Sequence, residues 1–357
     1  MDMRSRGPTV QDIADALQLS RTTVSKALNG HKSIPAKTVD AVLAKAVEMK
    51  YKQFAFLDRA SFGRSAQAGR LSGSFAMLAH VMPDKFHIGS SLMTHLEQEI
   101  SQEGYSLTIH ILKDDDIGNL MLPNNFSLDR VDAIVCLEMF DREYSKMLCG
   151  LGKPVLFIDT YPDAAYHELN ADLVMMENTH SVEKMVTAVV REHGLTRAGF
   201  VGDIHHCLSF RQRWEGFCRA LAYCGIAPDH AYSLVGGSDQ MYWDKSWLTK
   251  QIGGMKVLPE LFFCANDSLA LHMISTLKTM GIAVPDQVLI CGFDDMPEAR
   301  IVEPQLTTVH IPSSSMGIFA AQRLLSKIAN PALPNITSYV QTKVKFRSST
   351  KSMGDKQ

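Results

Sequence analysis

Apolar residues in the first fifty positions recur three and four apart, the spacing of a helix with one buried face. Val10, Ile13, Ala14 and Leu17 follow Thr9; Val24, Ala27 and Leu28 follow Ser20; Val39, Val42, Leu43, Ala46 and Val47 follow Ile34-Pro35. Each stretch carries its own start signal. Thr9 and Ser20 are helix N-caps with Asp12 in the first turn, and Pro35 opens the third helix, which runs to about Met49 with Lys45 and Lys50 toward its end. Only Gln18, Leu19 and Ser20 join the first two helices, so they must cross sharply, as in a helix-turn-helix. Tyr51 closes a three-helix head.

Residues 52–72 mix Phe54, Phe56, Leu57 and Phe62 with Lys52, Arg59, Arg64 and Arg70, broken by Gly63 and Gly69, and read as a linker. From Ser74 the pattern alternates strand and helix. Phe75–Val81, Tyr105–Leu112, Ala133–Leu137 and Val155–Asp159 are short apolar runs of the kind buried in parallel sheets, and Ala198–Val201, Leu261–Cys264 and Val288–Gly292 repeat them. Helices are predicted at Ser90–Glu103, Thr179–His193, Phe210–Cys224 and Asp267–Met280, the first two closed by Gly104 and Gly194. A last strand is expected at Tyr339–Phe346. Two runs of β-α-β text imply two doubly wound α/β lobes with parallel sheets.

Composition sharpens this. The 357 residues are 46% hydrophobic, ample for two or three compact units. The net charge of −2 hides an asymmetry: residues 1–70 hold 12 Lys/Arg against 6 Asp/Glu, the remainder 24 against 32. A basic head on an acidic body points to a polyanion held by the head alone. No apolar run reaches membrane-spanning length and no signal peptide precedes the head, so a cytoplasmic protein with no membrane partner is expected. The seven cysteines form no Cys-x-x-Cys pair; Cys136, Cys264 and Cys291 lie in strand-like runs as core thiols.

The second helix carries the informative chemistry. Arg21, Thr22, Ser25, Lys26 and Asn29 lie off its apolar face. Arg and Lys donate to guanine O6 and N7, Thr meets a thymine methyl or base edge, and small hydroxyls and amides suit phosphates. In the body no Gly-x-Gly-x-x-Gly follows the first strand, and no Lys-Ser/Thr phosphate loop occurs, which argues against a nucleotide cofactor. No nucleophile–base or His-Glu-x-x-His pattern marks a catalytic residue. His205-His206 lacks a third ligand for a metal and reads as a surface loop.

These residues resemble the lactose/galactose repressor (LacI/GalR) family of bacterial transcription regulators from about Thr9 to about Ile328. The head matches through Thr9-Val-Gln-Asp-Ile-Ala and Ser20-Arg-Thr-Thr-Val-Ser-Lys-Ala-Leu-Asn29. The body matches through Glu177-Asn178, Arg213-Trp-Glu-Gly-Phe217, Cys264-Ala-Asn-Asp267, Cys291-Gly-Phe-Asp-Asp295 and Pro304-Gln-Leu-Thr-Thr-Val309. The resemblance implies a homodimer on a pseudopalindromic double-stranded operator and a periplasmic-binding-protein-like body that takes a small effector, most often a sugar or related metabolite. Arg21, Thr22 and Lys26 fall where the family reads bases; Thr9, Thr23, Ser25 and Asn29 fall where it holds phosphates. There are departures. Gln18 replaces a turn glycine, so the turn is expected to carry strain or use another backbone region. Gln53-Phe54 replace the hinge's Pro-Asn pair, and Ala60 stands where the family wedges a Leu into the minor groove, which leaves Leu57 or Phe56 as a substitute wedge.

Ligands of two-lobed folds sit beyond the C-terminal strand ends. There the sequence places Asp159, Asn266-Asp267 and Asp294-Asp295, with Arg213 early in the helix after the Ala198–Val201 strand, and His80 at the end of the first body strand as a further candidate. The positions matching Asp159, Arg213, Asn266 and Asp294 contact effectors in the family. Competing structural roles are a helix cap for Asp267, an Arg213–Asp294 bridge, and packing for Trp243 and Trp247.

The expected organisation is a head over residues 1–51, a hinge over 52–72, a body over 73–347 and a polar tail over 348–357. The N-lobe is expected at about 73–174 plus 306–330, and the C-lobe at about 175–305 plus 331–347. The expected function is repression of carbohydrate-utilisation genes, relieved by a sugar-type effector, without cofactor or metal. The alternatives are a corepressor-type regulator that binds a purine or another metabolite, and a sugar receptor or enzyme on the same body. Thr337–Gln357 lacks the leucine heptads of a helical tetramerisation tail.

Overall fold

The computed structural model describes residues 9–28, 34–49, 51, 73–82, 88–164, 169–237 and 239–351. The chain divides into two compact units, Met1–Ser72 and Gly73–Gln357.

In the first unit, α1 (Val10–Leu17), α2 (Arg21–Leu28) and α3 (Ala36–Glu48) bury Ile13, Ala14, Val24, Ala27, Val42 and Ala46 against one another and Tyr51. The caps act as the sequence predicts. Asp12 N–H donates to Thr9 Oγ1 at 3.3 Å while Asp12 Oδ2 accepts from Thr9 N–H at 2.7 Å, a closed capping box. Thr23 N–H donates to Ser20 Oγ at 3.0 Å and starts α2. Gln18 takes the left-handed conformation, φ 52° and ψ 39°. The turn therefore keeps the backbone region that glycine would occupy, at a cost of about 1 kcal/mol for the side chain. The hinge residues Leu57 and Ala60, together with Asn29, lie outside the described residues.

The N-lobe of the second unit is built from β1 (Ser74–Ala79), α4 (Ile88–Gln102), β2 (Ser106–Ile111), the short α5 (Asp114–Gly118), β3 (Ala133–Met139), α6 (Arg142–Cys149), β4 (Val155–Thr160) and β5 (Asp172–Met176). The C-lobe follows with α7 (Thr179–His193), β6 (Ala198–Val201), α8 (Leu208–Tyr223), α9 (Lys245–Gly253), β7 (Leu261–Cys264), α10 (Asp267–Thr279) and β8 (Leu289–Cys291). Then come β9 (Thr308–His310), α11 (Ser313–Ala329), β10 (Thr337–Val340) and β11 (Lys343–Lys345).

The N-lobe sheet is parallel, in the order β10-β5-β4-β3-β1-β2, and the C-lobe sheet is parallel, β6-β7-β8. Helices cover both faces, so runs such as Ala133–Leu137 in β3 read as unbroken apolar text rather than alternation. The Gly in Arg213-Trp-Glu-Gly-Phe217 has a packing reason. A Cβ on Gly216 would lie 2.4 Å from the Thr179 carbonyl, so α8 could not lie this close to α7 with any larger residue.

The lobe boundaries differ from the expected ones near the end of the chain. Residues 306–310 belong to the C-lobe: Thr307 bridges Cys291, and β9 pairs antiparallel with β11. The expected strand Tyr339–Phe346 is two strands in two sheets. Thr337–Val340 joins β5 at the N-lobe edge, the chain crosses between lobes, and Lys343–Lys345 joins β9. One alternating stretch thus serves both lobes, which periodicity cannot reveal. The polar tail also starts later than expected. Ser349 is fully buried, its hydroxyl donates to the Ile290 carbonyl at 2.7 Å, and Thr350 bonds Thr307 at 2.7 Å. Hydroxyls that pair on sheet edges look like tail text in a sequence.

The chain passes between lobes three times, after β5, after β9 and after β10. The first and third passages are tied: Glu177 N–H donates to the Val340 carbonyl at 2.8 Å and the Thr342 hydroxyl to the Glu177 carbonyl at 2.8 Å.

Candidate functional site

Between the lobes lies a cavity of about 160 Å³. Leu137, Phe140, Ile158, Met176, Phe210 and Met296 form its apolar lining; Glu138, Asp159, Ser209, Arg213, Asn266 and Asp294 are among its polar groups. Glu138 and Asp159 come from the C-terminal ends of β3 and β4, Asn266 and Asp294 from just beyond β7 and β8. Glu138, Asp159 and Asp294 have positive φ, 53°, 61° and 126°. Strained backbone held by the fold is concentrated where side chains must be aimed into the cleft.

Arg213 organises the C-lobe wall. It is 3% exposed. Its Nε donates to Asn178 Oδ1 at 3.0 Å, its Nη1 donates to the Ala265 carbonyl at 2.7 Å and lies 3.6 Å from Asp294 Oδ1. The guanidinium lies 3.7 Å from the centroid of the Phe293 ring. Arg213 therefore bridges to Asp294 and also lines the cavity. Asn178 is fixed in turn, donating to the Met176 carbonyl at 3.0 Å and to Gln212 Oε1 at 2.9 Å.

Asn266, not Asp267, caps α10: its Oδ1 accepts from Leu269 N–H at 2.9 Å. That corrects the expected cap. Asp267 turns inward instead, accepting from Met296 N–H at 2.9 Å and the Thr308 hydroxyl at 2.5 Å, and burial pushes its carboxyl up to about 6. Beside it, Asp295 accepts from Arg300 at 2.7 Å, from Arg347 and from His310. Burial opposes its ionisation, but the two guanidinium groups hold its carboxyl below the ordinary range.

Asp159 spans the two lobes. The Ser209 hydroxyl at the start of α8 donates to its Oδ2 at 2.5 Å, and Ser209 N–H reaches Oδ1 at 3.2 Å. Burial raises its carboxyl pKa, against which the Ser209 and Thr160 hydrogen bonds pull.

Asp159, Arg213, Asn266 and Asp294 are thus brought to one cavity. His80 is not: it is half exposed and bonds Asp114 at 2.8 Å, away from the cavity lining. Trp243 and Trp247 also stay out of the lining; Trp247 packs edge-on against Tyr242. His206 corrects the surface-loop reading. Its ring packs against Phe140 and Phe210, with centroids 4.9 and 5.3 Å apart, and it lines the cleft. Glu138, Ser209, Phe210 and Phe293 were not singled out from the sequence. Their only signal was position, at a strand end, at a helix start and inside Cys291-Gly-Phe-Asp-Asp295. Among the described residues no group of three or more His, Cys, Asp or Glu is placed to hold a metal ion.

On the head, Arg21, Thr22 and Lys26 are exposed along one side of α2, whereas Thr9, Thr23 and Ser25 are half-buried. The Thr9 and Thr23 hydroxyls are engaged, the first with Asp12 Oδ2 at 2.7 Å and the second with Ser20 Oγ at 2.8 Å.

Comparison with known proteins agrees with this architecture. Residues 187–350 match the family model of the periplasmic binding protein-like domain. The chain is 24% identical over 356 residues to the HTH-type transcriptional repressor PurR of Pasteurella multocida, covering 96% of this chain and 99% of that one. The fold is shared with a complex of the transcriptional regulator CelR with cellobiose, with 19% identity, a TM-score of 0.66 and coverage of 96% and 99%. It is shared likewise with the lac repressor dimer bound to operator and the anti-inducer ONPF, with 19% identity, a TM-score of 0.68 and coverage of 97% and 100%.

Proposed function

We propose, from the premise that this chain belongs to the LacI/GalR family of DNA-binding transcriptional regulators, that it represses its target genes until a sugar-type effector enters the body cleft. The observation that carries this reading is the convergence of a guanidinium, an amide and a carboxylate (Arg213, Asn266 and Asp294) on one cavity with aromatic and aliphatic walls. Adjacent hydroxyls of a sugar ring each donate and accept, and this set offers both functions side by side. The ring faces suit Phe210 and Phe140. The solved complex of CelR holds cellobiose, which supports the same ligand class here.

In this reading Arg21, Thr22 and Lys26 reach base edges in the major groove, while Thr9, Thr23, Ser25 and Asn29 meet phosphates. Thr9 and Thr23 would do so by trading their present partners, Asp12 and Ser20, for phosphate oxygens. Leu57 or Ala60 would face the minor groove from the hinge. The working form is a cytoplasmic homodimer. Exposed Val81, Met82 and Ile111 beside the ends of β1 and β2, and Ile301 in the C-lobe, supply apolar surface of the kind that partners cover. The effector acts by favouring one angle between the lobes, and so one separation of the two heads.

The test uses the full chain and a DNA site selected from random duplexes. Fluorescence anisotropy should show a sequence-specific complex whose affinity falls steeply as salt rises, and a sugar from a panel that includes cellobiose and ribose should dissociate it. Equal affinity for all sequences would overturn the regulator reading. A purine base that tightens the complex would replace release by corepression.

A further inference from the structure

We infer that the cleft selects its effector by charge: it takes a neutral or amino-bearing ring of monosaccharide size and rejects phosphorylated or carboxylated ones, with Glu138 as the selecting residue. The inference rests on the sugar-effector reading and narrows it.

Among the described residues, one guanidinium, that of Arg213, lines the cavity beside three carboxylates, Glu138, Asp159 and Asp294. Among the described residues no lysine joins them there, and the other titratable side chains of the lining are His206 and Cys207. The guanidinium is already committed. Arg213 serves Asn178 and the Ala265 carbonyl and lies 3.6 Å from Asp294, so its charge is answered within the wall. An incoming anion would have to displace that carboxylate to use it.

Helix N-termini are the other usual source of attraction for anions. Among the described residues, the starts of α8 and α10 line this cleft, and both are answered by the protein's own groups. At α8, Ser209 N–H and Oγ–H both bind Asp159. At α10, Asn266 takes the Leu269 N–H, and Asp267 supplies a carboxylate in the first turn.

Glu138 sits on the opposite, N-lobe wall. Its backbone is held at φ 53°, and its charge is close enough to oppose ionisation of Asp159. A ligand anion in so small a space meets this carboxylate at short range in a medium far less polarisable than water. An ammonium or hydroxyl donor in the same place is attracted. The volume, about 160 Å³, is on the scale of cavities that hold a single six-membered ring.

The experiment is a matched titration of the full chain by isothermal calorimetry. For each of several hexoses and pentoses it compares the free sugar, the 2-amino sugar, the uronic acid and the sugar phosphate, with free purine bases and nucleotides alongside. The sugar that binds should do so in neutral or amino form, with the uronate and phosphate weaker by about 100-fold or more. Glu138→Gln should recover about tenfold of the lost affinity for the phosphate form and reduce any preference for the amino sugar, whereas Glu138→Asp, which keeps the charge, should not. A phosphate or uronate that binds more tightly than its neutral parent overturns the charge rule and leaves the sugar reading intact. A neutral purine base that binds in place of every sugar overturns the sugar reading and leaves the charge rule intact. Equal affinities for the phosphate form in the wild type and Glu138→Gln remove Glu138 as the selector.

Discussion

Arg213→Ala tests both roles assigned to one buried side chain. The truncation withdraws the donors to Asn178 Oδ1 at 3.0 Å and to the Ala265 carbonyl at 2.7 Å, and the counter-charge 3.6 Å from Asp294. It also empties the space over the Phe293 ring. A buried acceptor left unsatisfied costs about 1–3 kcal/mol, and breaking a buried ion pair from one side costs about 3–5 kcal/mol. These terms overlap, so the expected loss is about 3–5 kcal/mol, or a fall in Tm of about 10 °C. The chain's three tryptophans, Trp214, Trp243 and Trp247, all lie in the C-lobe, so urea unfolding followed by their fluorescence reports on the perturbed unit. Operator binding, measured well below the lowered Tm, should persist because the head has its own core of Ile13, Ala14, Val24 and Ala27. The response to sugar should vanish. A stability loss under about 1 kcal/mol with the sugar response retained would refute the argument that Arg213 organises the cleft.

Two further predictions address the head and the buried carboxyl pair. Arg21→Ala and Lys26→Ala should each cost about 1–3 kcal/mol of operator affinity by anisotropy and leave the body's urea midpoint unchanged, since both side chains are exposed; a shifted midpoint would mean they support the fold. Burial lifts the Asp267 carboxyl from the ordinary 3.8 to about 6, so the folded state favours its protonated form. Its stabilising contribution is whole below about pH 3.8 and disappears as pH rises through 6, about 3 kcal/mol across that window. Asp295, whose carboxyl is held low, titrates below that window and does not cancel the effect. Asp267→Asn should flatten the stability–pH curve over this window, and a curve parallel to wild type would refute the assignment.

The elements with strong local periodicity were legible from the chain alone. Thr179–His193, Ala198–Val201 and Leu261–Cys264 have the ends that their caps and apolar runs predict. The cleft was legible as far as strand ends locate it, which is how Asp159, Arg213, Asn266 and Asp294 were found together. What stayed hidden is long-range. That Asn266 and not Asp267 takes the cap depends on Thr308, forty-one residues away, which claims the Asp267 carboxylate. That His206 faces the cleft depends on Phe140, from the other lobe. His80 failed for the converse reason: it ends a strand like the others, but Asp114 holds it at the surface. The split of Tyr339–Phe346 between two sheets leaves no local trace, because both halves carry the same alternation.

The shared late segment governs how the body can be assembled. Residues 337–340 supply the outermost strand of one lobe, residues 343–345 the strand that pairs with β9 in the other, and residues 348–350 seal the sheet edge beyond it. During synthesis, therefore, neither half reaches its final form ahead of its neighbour. Both wait for the same dozen or so residues, and a ribosome that stalls before them releases two unfinished halves rather than one finished and one missing.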